Sequence, residues 1–224
     1  MKKIIYFTFC LLFLTSFQYL QAQWARTYGE GLPTYIKRCL QQTSDGGYVV
    51  LGEIGTNVWI VKLDLDGDIQ WQRTYGQGIS VKAHSIQQTS DEGYIFAGYI
   101  FTSGSSDDVW IVKLDLDGDI EWQRTYGGSS IDKAYSIQQT SDGGYIVAGE
   151  TWSLGANPYD FWILKLDSNG DIIWQRAYGG SGIERAYSIQ QTSDGGYIVA
   201  GETASDLWVL KLDSSLGLTV ARDN

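Results

Sequence analysis

The sequence predicts an all-β fold, a β-propeller of four blades with four antiparallel strands in each. Three observations carry that prediction. A motif opening on tryptophan recurs at Trp24, Trp71, Trp122 and Trp174, at intervals of about 50 residues, the length of one four-stranded blade. Between its copies lie two recurring turns, Ser-Asp-Gly/Glu-Gly and Asp-x-Asp/Asn-Gly-Asp. The stretches beside those turns are rich in β-branched and aromatic residues and show no helical period.

The third unit shows how each strand is assigned. Strand a is 136–140, and the turn 141–144 leads to strand b at 145–149. Strand c is 161–167, and the turn 168–171 leads to strand d at 172–178. Asp-Gly and Asn-Gly pairs suit such turns because both positions tolerate positive φ. Strands b and c are apolar nearly throughout, as expected of sheets covered on both faces. The phase of the repeat predicts how the ring ends. The chain reaches its first unit through a lone strand d, 24–28, and finishes its last clear unit at strand c, 207–213. The N-terminal strand is therefore expected to complete the last blade, closing the ring and hiding an edge. Residues 218–222 align with 172–176, with Val220 in place of the tryptophan. They are a degraded strand d competing for the same position.

The first residues read as an export signal. Met1-Lys2-Lys3 precedes an apolar run at 4–14 and the stretch Leu20-Gln21-Ala22, the three parts of a secretory leader. Cleavage is expected after Ala22. The divisions are then 1–22 signal peptide, 23–213 propeller and 214–224 tail. The apolar run is too short to span a bilayer, and no later stretch is apolar enough to do so. The mature chain is expected to be secreted, periplasmic or on the cell surface. Of the 2 cysteines, Cys10 leaves with the leader, so Cys39 has no partner for an intramolecular disulfide. Stability then rests on burial, for which 9 Trp and 15 Tyr supply the surface. A net charge of −10 repels phosphate backbones and argues against nucleic acid as a partner.

The stretch 62–71, Lys-Leu-Asp-Leu-Asp-Gly-Asp-Ile-Gln-Trp, resembles the tryptophan-docking repeat of quinoprotein-like propellers. In that repeat an Asp, a turn Gly and a Trp four residues later lock adjacent blades. The run 142–151, Asp-Gly-Gly-Tyr-Ile-Val-Ala-Gly-Glu-Thr, is similar to repeats of secreted bacterial surface proteins. Together the resemblances cover 23–213. They imply the fold and an extracellular setting, while propellers host unrelated activities.

The a–b and c–d turns fall on one face of a propeller, the b–c and d–a loops on the other. The first set is nearly constant; the second varies in length and content and contains both prolines, Pro33 and Pro158. Binding residues commonly sit on such loops. Within that face, residues that break the repeat are the candidates for ligand contact: Tyr99, Phe101, Trp152, Asn157 and Tyr159. Aromatics there either cover blade edges under the long loops or, at an exposed rim, stack on sugar rings or seed protein contacts. The recurring tryptophans, including Trp59, Trp110, Trp162 and Trp208, read as core or docking elements, and Lys62, Lys113, Lys165 and Lys211 as partners of nearby carboxylates.

The clustered acids Asp64, Asp66, Asp68, Asp115, Asp117 and Asp119 resemble the start of a calcium loop. Tyr75 and Tyr126 stand where its twelfth-position glutamate belongs, so ordinary turn chemistry is the expected role. With 1 histidine, His84, a His-rich metal site is excluded. Glu53, Glu150 and Glu202 recur at the end of strand b, and their repetition argues for structure. The function expected is a non-catalytic binding or scaffold module for a glycan or an extracellular protein, with no cofactor predicted. The alternative is a secreted enzyme, either a carboxylate glycosidase or a quinoprotein-like oxidoreductase that uses pyrroloquinoline quinone. The chain is expected to be a monomer or a ring-completing homodimer.

Overall fold

A computed structural model describes residues 24–29, 34–102, 106–155, 159–214 and 218–219. The leader expected at 1–22, together with Asn157, Pro33 and Pro158, lies outside them. The described residues form four antiparallel sheets of four strands each, the blades of a β-propeller. Blade 1 holds β1 (Thr34–Gln42), β2 (Tyr48–Ile54), β3 (Asn57–Leu63) and β4 (Ile69–Tyr75). Blade 2 holds β5 (Val81–Gln88), β6 (Tyr94–Thr102), β7 (Ser106–Leu114) and β8 (Ile120–Tyr126). Blade 3 holds β9 (Asp132–Gln139), β10 (Tyr145–Thr151), β11 (Asp160–Leu166) and β12 (Ile172–Tyr178). Blade 4 holds β13 (Arg185–Gln191), β14 (Tyr197–Glu202), β15 (Leu207–Leu212) and the short β16 (Leu218–Thr219). In each blade the strands follow one another in sequence order.

Burial explains why β2, β3 and their counterparts are apolar nearly throughout. One face of β2–β3, with Val49, Leu51, Val58 and Ile60, packs on Tyr94, Phe96, Trp110 and Val112 of blade 2. The same pattern joins blade 2 to blade 3 and blade 3 to blade 4. The tryptophans opening the fourth strands clasp these junctions. Trp71 Nε1–H donates to Leu116 O at 3.0 Å, and Tyr75 Oη–H donates to Gly118 O at 2.7 Å. The ring of Trp71 lies over Gly118, where a Cβ would come within 3.0 Å of it. The Gln-Gln pairs tie the inner strands together. Gln87 Oε1 accepts from Gln139 N–H at 2.7 Å, and Gln139 Oε1 accepts from Ser90 N–H at 2.8 Å.

The constant turns are built around the recurring lysines, as expected of carboxylate partners. Lys165, with a side chain only 4% exposed, donates to Asp142 Oδ2 at 2.9 Å and Leu166 O at 3.0 Å. A Cβ at Gly144 would sit 2.2 Å from Leu166 O and 2.6 Å from Lys165 Nζ, so only glycine admits this approach. Lys62 with Asp45 and Lys113 with Asp91 repeat the arrangement. Hydrogen bonds from Lys62 and Thr43 lower Asp45 to about 2. Against partial burial, hydrogen bonds from Thr140 and Lys165 lower Asp142 to about 2 as well. A carboxylate whose folded pKa is depressed stabilises the fold above its unfolded value, near pH ~4, and that contribution is lost as pH falls through the folded value. Thermal melts are therefore expected to hold steady down to about pH 4 and to fall below it. The fall should be smaller in an Asp142→Asn variant, and a melting temperature that climbs toward pH ~2 would sink this account.

The ends of the repeat differ from the expected closure. The fourth position beside β15 is taken by β16, with Leu212 opposite Leu218 and Lys211 opposite Thr219. Residues 24–28 dock on the turn of blade 1, Leu65 to Gly67, as the fourth strand of a preceding blade does, but among the described residues they pair with no strand. Neighbouring inner strands meet as β1 with β5, β5 with β9 and β9 with β13, and among the described residues β13 makes no comparable contact with β1.

Candidate functional site

The b–c and d–a loops gather at the end of the blades opposite the constant turns, and the inner strands reach that end through a break in register. In β5 the pairing with β6 passes from Ala83 to Ser85, leaving His84 outside the ladder. Tyr135 in β9 and Tyr187 in β13 are left out in the same way, and in β1 the register skips Lys37 and Arg38. A bulge re-aims a side chain. Here three of them form an aromatic row, with His84 5.2 Å from Tyr135 and Tyr135 5.2 Å from Tyr187 between ring centroids. Tyr99 joins the row, stacked on His84 at 5.6 Å.

Beside the bulges of β5, β9 and β13 stands a cation that reaches back to the preceding blade. Lys82 pairs with Glu53, which is 2% exposed. Lys133 lies over the Tyr99 ring, 4.9 Å from its centroid, and pairs with Asp107 at 3.2 Å. Arg185 donates from Nε to Glu150 at 2.6 Å and from Nη1 to Glu202 at 3.1 Å. The tyrosine hydroxyls complete the network: Tyr135 donates to Glu150 at 2.9 Å and Tyr187 to Glu202 at 2.7 Å. Burial first, and then the Glu150 carboxylate, push the Tyr135 phenol well above its ordinary range. Hydrogen bonds from Tyr187 and Arg185 hold Glu202 below the usual carboxylate range.

Two of the expected ligand contacts meet in this neighbourhood. Trp152, 46% exposed, packs against Tyr159 with ring centroids 5.2 Å apart and planes 33° from parallel. The Arg185 guanidinium lies over Tyr159 at 5.4 Å, linking the pair to the acidic network. The loop beneath is fixed by Asp132, which is fully buried and accepts from Thr151 Oγ1, from Ser153 Oγ at 2.6 Å and from Gly128 N–H at 3.0 Å. Thr151 Oγ1 accepts in turn from Ser153 and Leu154 N–H, and Trp152 N–H donates to Ile131 O at 2.8 Å. Tyr159 sits at φ +67°, held by Glu184 N–H donating to its carbonyl at 2.6 Å. A side chain kept at positive φ costs about 1–2 kcal/mol, so the surrounding bonds must impose it.

Phe101, 49% exposed, stands at the β6–β7 hairpin and makes no ring contact with the others among the described residues. Asn157 falls outside those residues. Arg185, Tyr135, Tyr187 and His84 were not among the expected contacts. Their signal was faint: they sit inside copies of the repeat, His84, Tyr135 and Tyr187 one residue and Arg185 three residues outside the strand expected at 136–140 and its counterparts.

The acids on the opposite face build turns. Asp64 Oδ1 accepts from the Asp66 and Asp68 N–H groups at 3.0 and 2.8 Å, and Asp115 does the same for Asp117 and Asp119. Among the described residues no three His, Cys, Asp or Glu side chains are grouped as a metal site requires.

No protein-family model and no curated protein matches the chain. Among solved structures, the chain is similar to a protein of unknown function from Bacteroides caccae, with a TM-score of 0.59 and 14% identity over 88% of this chain and 69% of that one. It is also similar to a putative exo-beta-1,3-galactanase from Bifidobacterium bifidum s17, with a TM-score of 0.51 and 12% identity over 78% of this chain and 66% of that one. The chain thus spans about two thirds of the length of either, and at such identities the likeness is one of fold, an all-β propeller.

Proposed function

We propose that this chain is an exported, non-catalytic binding module that takes a glycan on its b–c loop face, at the junction of blades 3 and 4. The observation that carries the reading is the Trp152–Tyr159 pair. Two large rings pack together with their planes tilted by 33°, the tryptophan half-exposed, on a loop locked by a buried aspartate. Rigid aromatic surface of this kind stacks on the apolar face of a sugar ring with little ordering cost. Beside it, Arg185, Glu202 and Tyr187 offer donors and acceptors for hydroxyls.

The carboxylates support binding over hydrolysis. A glycosidase needs two acids in unlike environments across a cleft. Glu53 and Glu150 are each buried at 2% exposure and bound to a cation from the next blade, which is the role of a structural ion pair.

The test is a glycan panel read by calorimetry, followed by Trp152→Ala. Removing an exposed stacking residue is expected to weaken binding by at least about 30-fold while shifting the melting temperature by no more than about 2 °C. Unchanged affinity in the variant, or turnover of the bound glycan, would overturn the proposal.

A further inference from the structure

Blade 4 presents a face that the other three blades bury. Leu207 and Val209 are 79% and 46% exposed, whereas their counterparts Phe161 and Ile163, Val109 and Ile111, and Val58 and Ile60 are all at 0%. Those six residues are covered by the second and third strands of the next blade. The edge of β15 is open as well. In blade 3 the fourth strand pairs with the third from Phe161 to Leu166, but β16 pairs only with Lys211 and Leu212. Residues 207–210 therefore have no ladder partner on that side among the described residues.

The other end of the chain carries the matching half. Residues 24–28 belong to no sheet, yet they dock on blade 1 as the fourth strand of one blade docks on the next. Trp24 Nε1–H donates to Leu65 O at 3.0 Å, as Trp71 Nε1–H does to Leu116 O at 3.0 Å. Tyr28 donates to Gly67 O at 2.6 Å, as Tyr75 does to Gly118 O at 2.7 Å. Arg26 pairs with Asp68 as Arg73 pairs with Asp119. Between this segment and β3 lies an apolar cavity of about 240 Å³ lined by Val50, Gly52, Trp59, Val61 and Leu63. These are the positions which, in blades 2 to 4, receive the preceding blade.

We propose that the chain associates head to tail with a second copy of itself, blade 4 of one copy docking on blade 1 of the other. Residues 25–28 add to the free edge of the partner's β15, completing its fourth blade. The partner's Leu207 and Val209 enter the face of β2 and β3. The occupant is another copy because the required surface is the one this chain already mates three times within itself, and strand addition to an open edge supplies the backbone pairing. The register of blade 3 sets the pairs. Arg26 faces Val209 as Arg176 faces Ile163, and Tyr28 faces Leu207 as Tyr178 faces Phe161. Two such heterologous contacts close a pair of copies into a ring of eight blades.

Sedimentation velocity on the full chain at micromolar concentration is expected to give twice the chain mass, and Leu207→Asp is expected to return it to the single mass. That side chain is already exposed, so the change carries little folding cost. A double variant, Arg26→Cys with Val209→Cys, places thiols on facing residues of the two copies. Mild oxidation is expected to give a disulfide-linked species of double mass on a non-reducing gel, absent from either single variant. A single-mass species at all concentrations, or a disulfide formed within one chain, would overturn the proposal.

Discussion

Trp162→Ala is expected to destabilise the protein by about 3–5 kcal/mol, lowering the melting temperature by roughly 10 °C. The indole is 1% exposed and sits with Ile95, Val109 and Ile111 of blade 2 against its own blade's Val147 and Leu164. Deleting it removes apolar contact from both blades and leaves a cavity that rigid sheets cannot collapse to fill. Trp162→Phe separates size from chemistry. Nε1 of Trp162 has no hydrogen-bond partner among the described residues, unlike Trp59 and Trp110, which donate to Gln72 and Gln123 at 3.1 Å. Phenylalanine thus gives up volume but no bond, and a loss under about 1.5 kcal/mol is expected. Calorimetric melts of both variants decide the matter; equal losses would mean that junction packing is not what Trp162 supplies.

Asp142→Asn is expected to cost about 2 kcal/mol, and Asp91→Asn less than about 1 kcal/mol. The two aspartates occupy the same turn in adjacent blades, and each faces a lysine whose side chain is 4% exposed. Lys113 keeps a second carboxylate, Glu121 at 2.9 Å, whereas Ile173 stands at the equivalent place beside Lys165. Asparagine preserves the Oδ1 acceptor that holds Gly144 N–H at 3.0 Å, so the turn survives and only the charge is lost. What remains in blade 3 is a buried ammonium with no counter-ion, the costly half of a broken ion pair. Adding Lys165→Met should recover most of the loss, since an apolar side chain of similar length needs no partner. Denaturant midpoints for the single and double variants test this; a double variant no better than Asp142→Asn would show that the charge is not the cause.

The blades were legible in the sequence because their determinants are local and recur. Asp-Gly turns, an apolar run and a tryptophan at a fixed spacing mark the four strands of each unit. Strand ends were less legible where the ladder is irregular. Strand a was expected at 136–140, whereas β9 spans Asp132–Gln139, because the bulge at Tyr135 breaks the alternation that a periodicity reading follows. Ring closure was inferred from the phase of the repeat, and phase does not say which end of the chain takes the position beside β15, where Leu218–Thr219 pairs. Trp152 and Tyr159 stood out as residues the repeat does not contain. Arg185 did not, since it aligns with Lys82 and Lys133 inside the repeat, and its position over Tyr159 depends on how blades 3 and 4 pack.

The register skip on each inner strand has a wider meaning. Elsewhere in a blade, changing a residue disturbs a cross-strand partner, a junction or a turn, and the sequence stays close to a fixed template. At the skipped positions the backbone has stepped out of its ladder, and the units need not share a residue there: Lys37-Arg38 in the first, His84 in the second, and tyrosine in the third and fourth, Tyr135 and Tyr187. The fold thus sets aside one column along its inner strands where chemistry is written independently of architecture. A lineage of such repeats can exchange specificity there without having to solve the folding problem again.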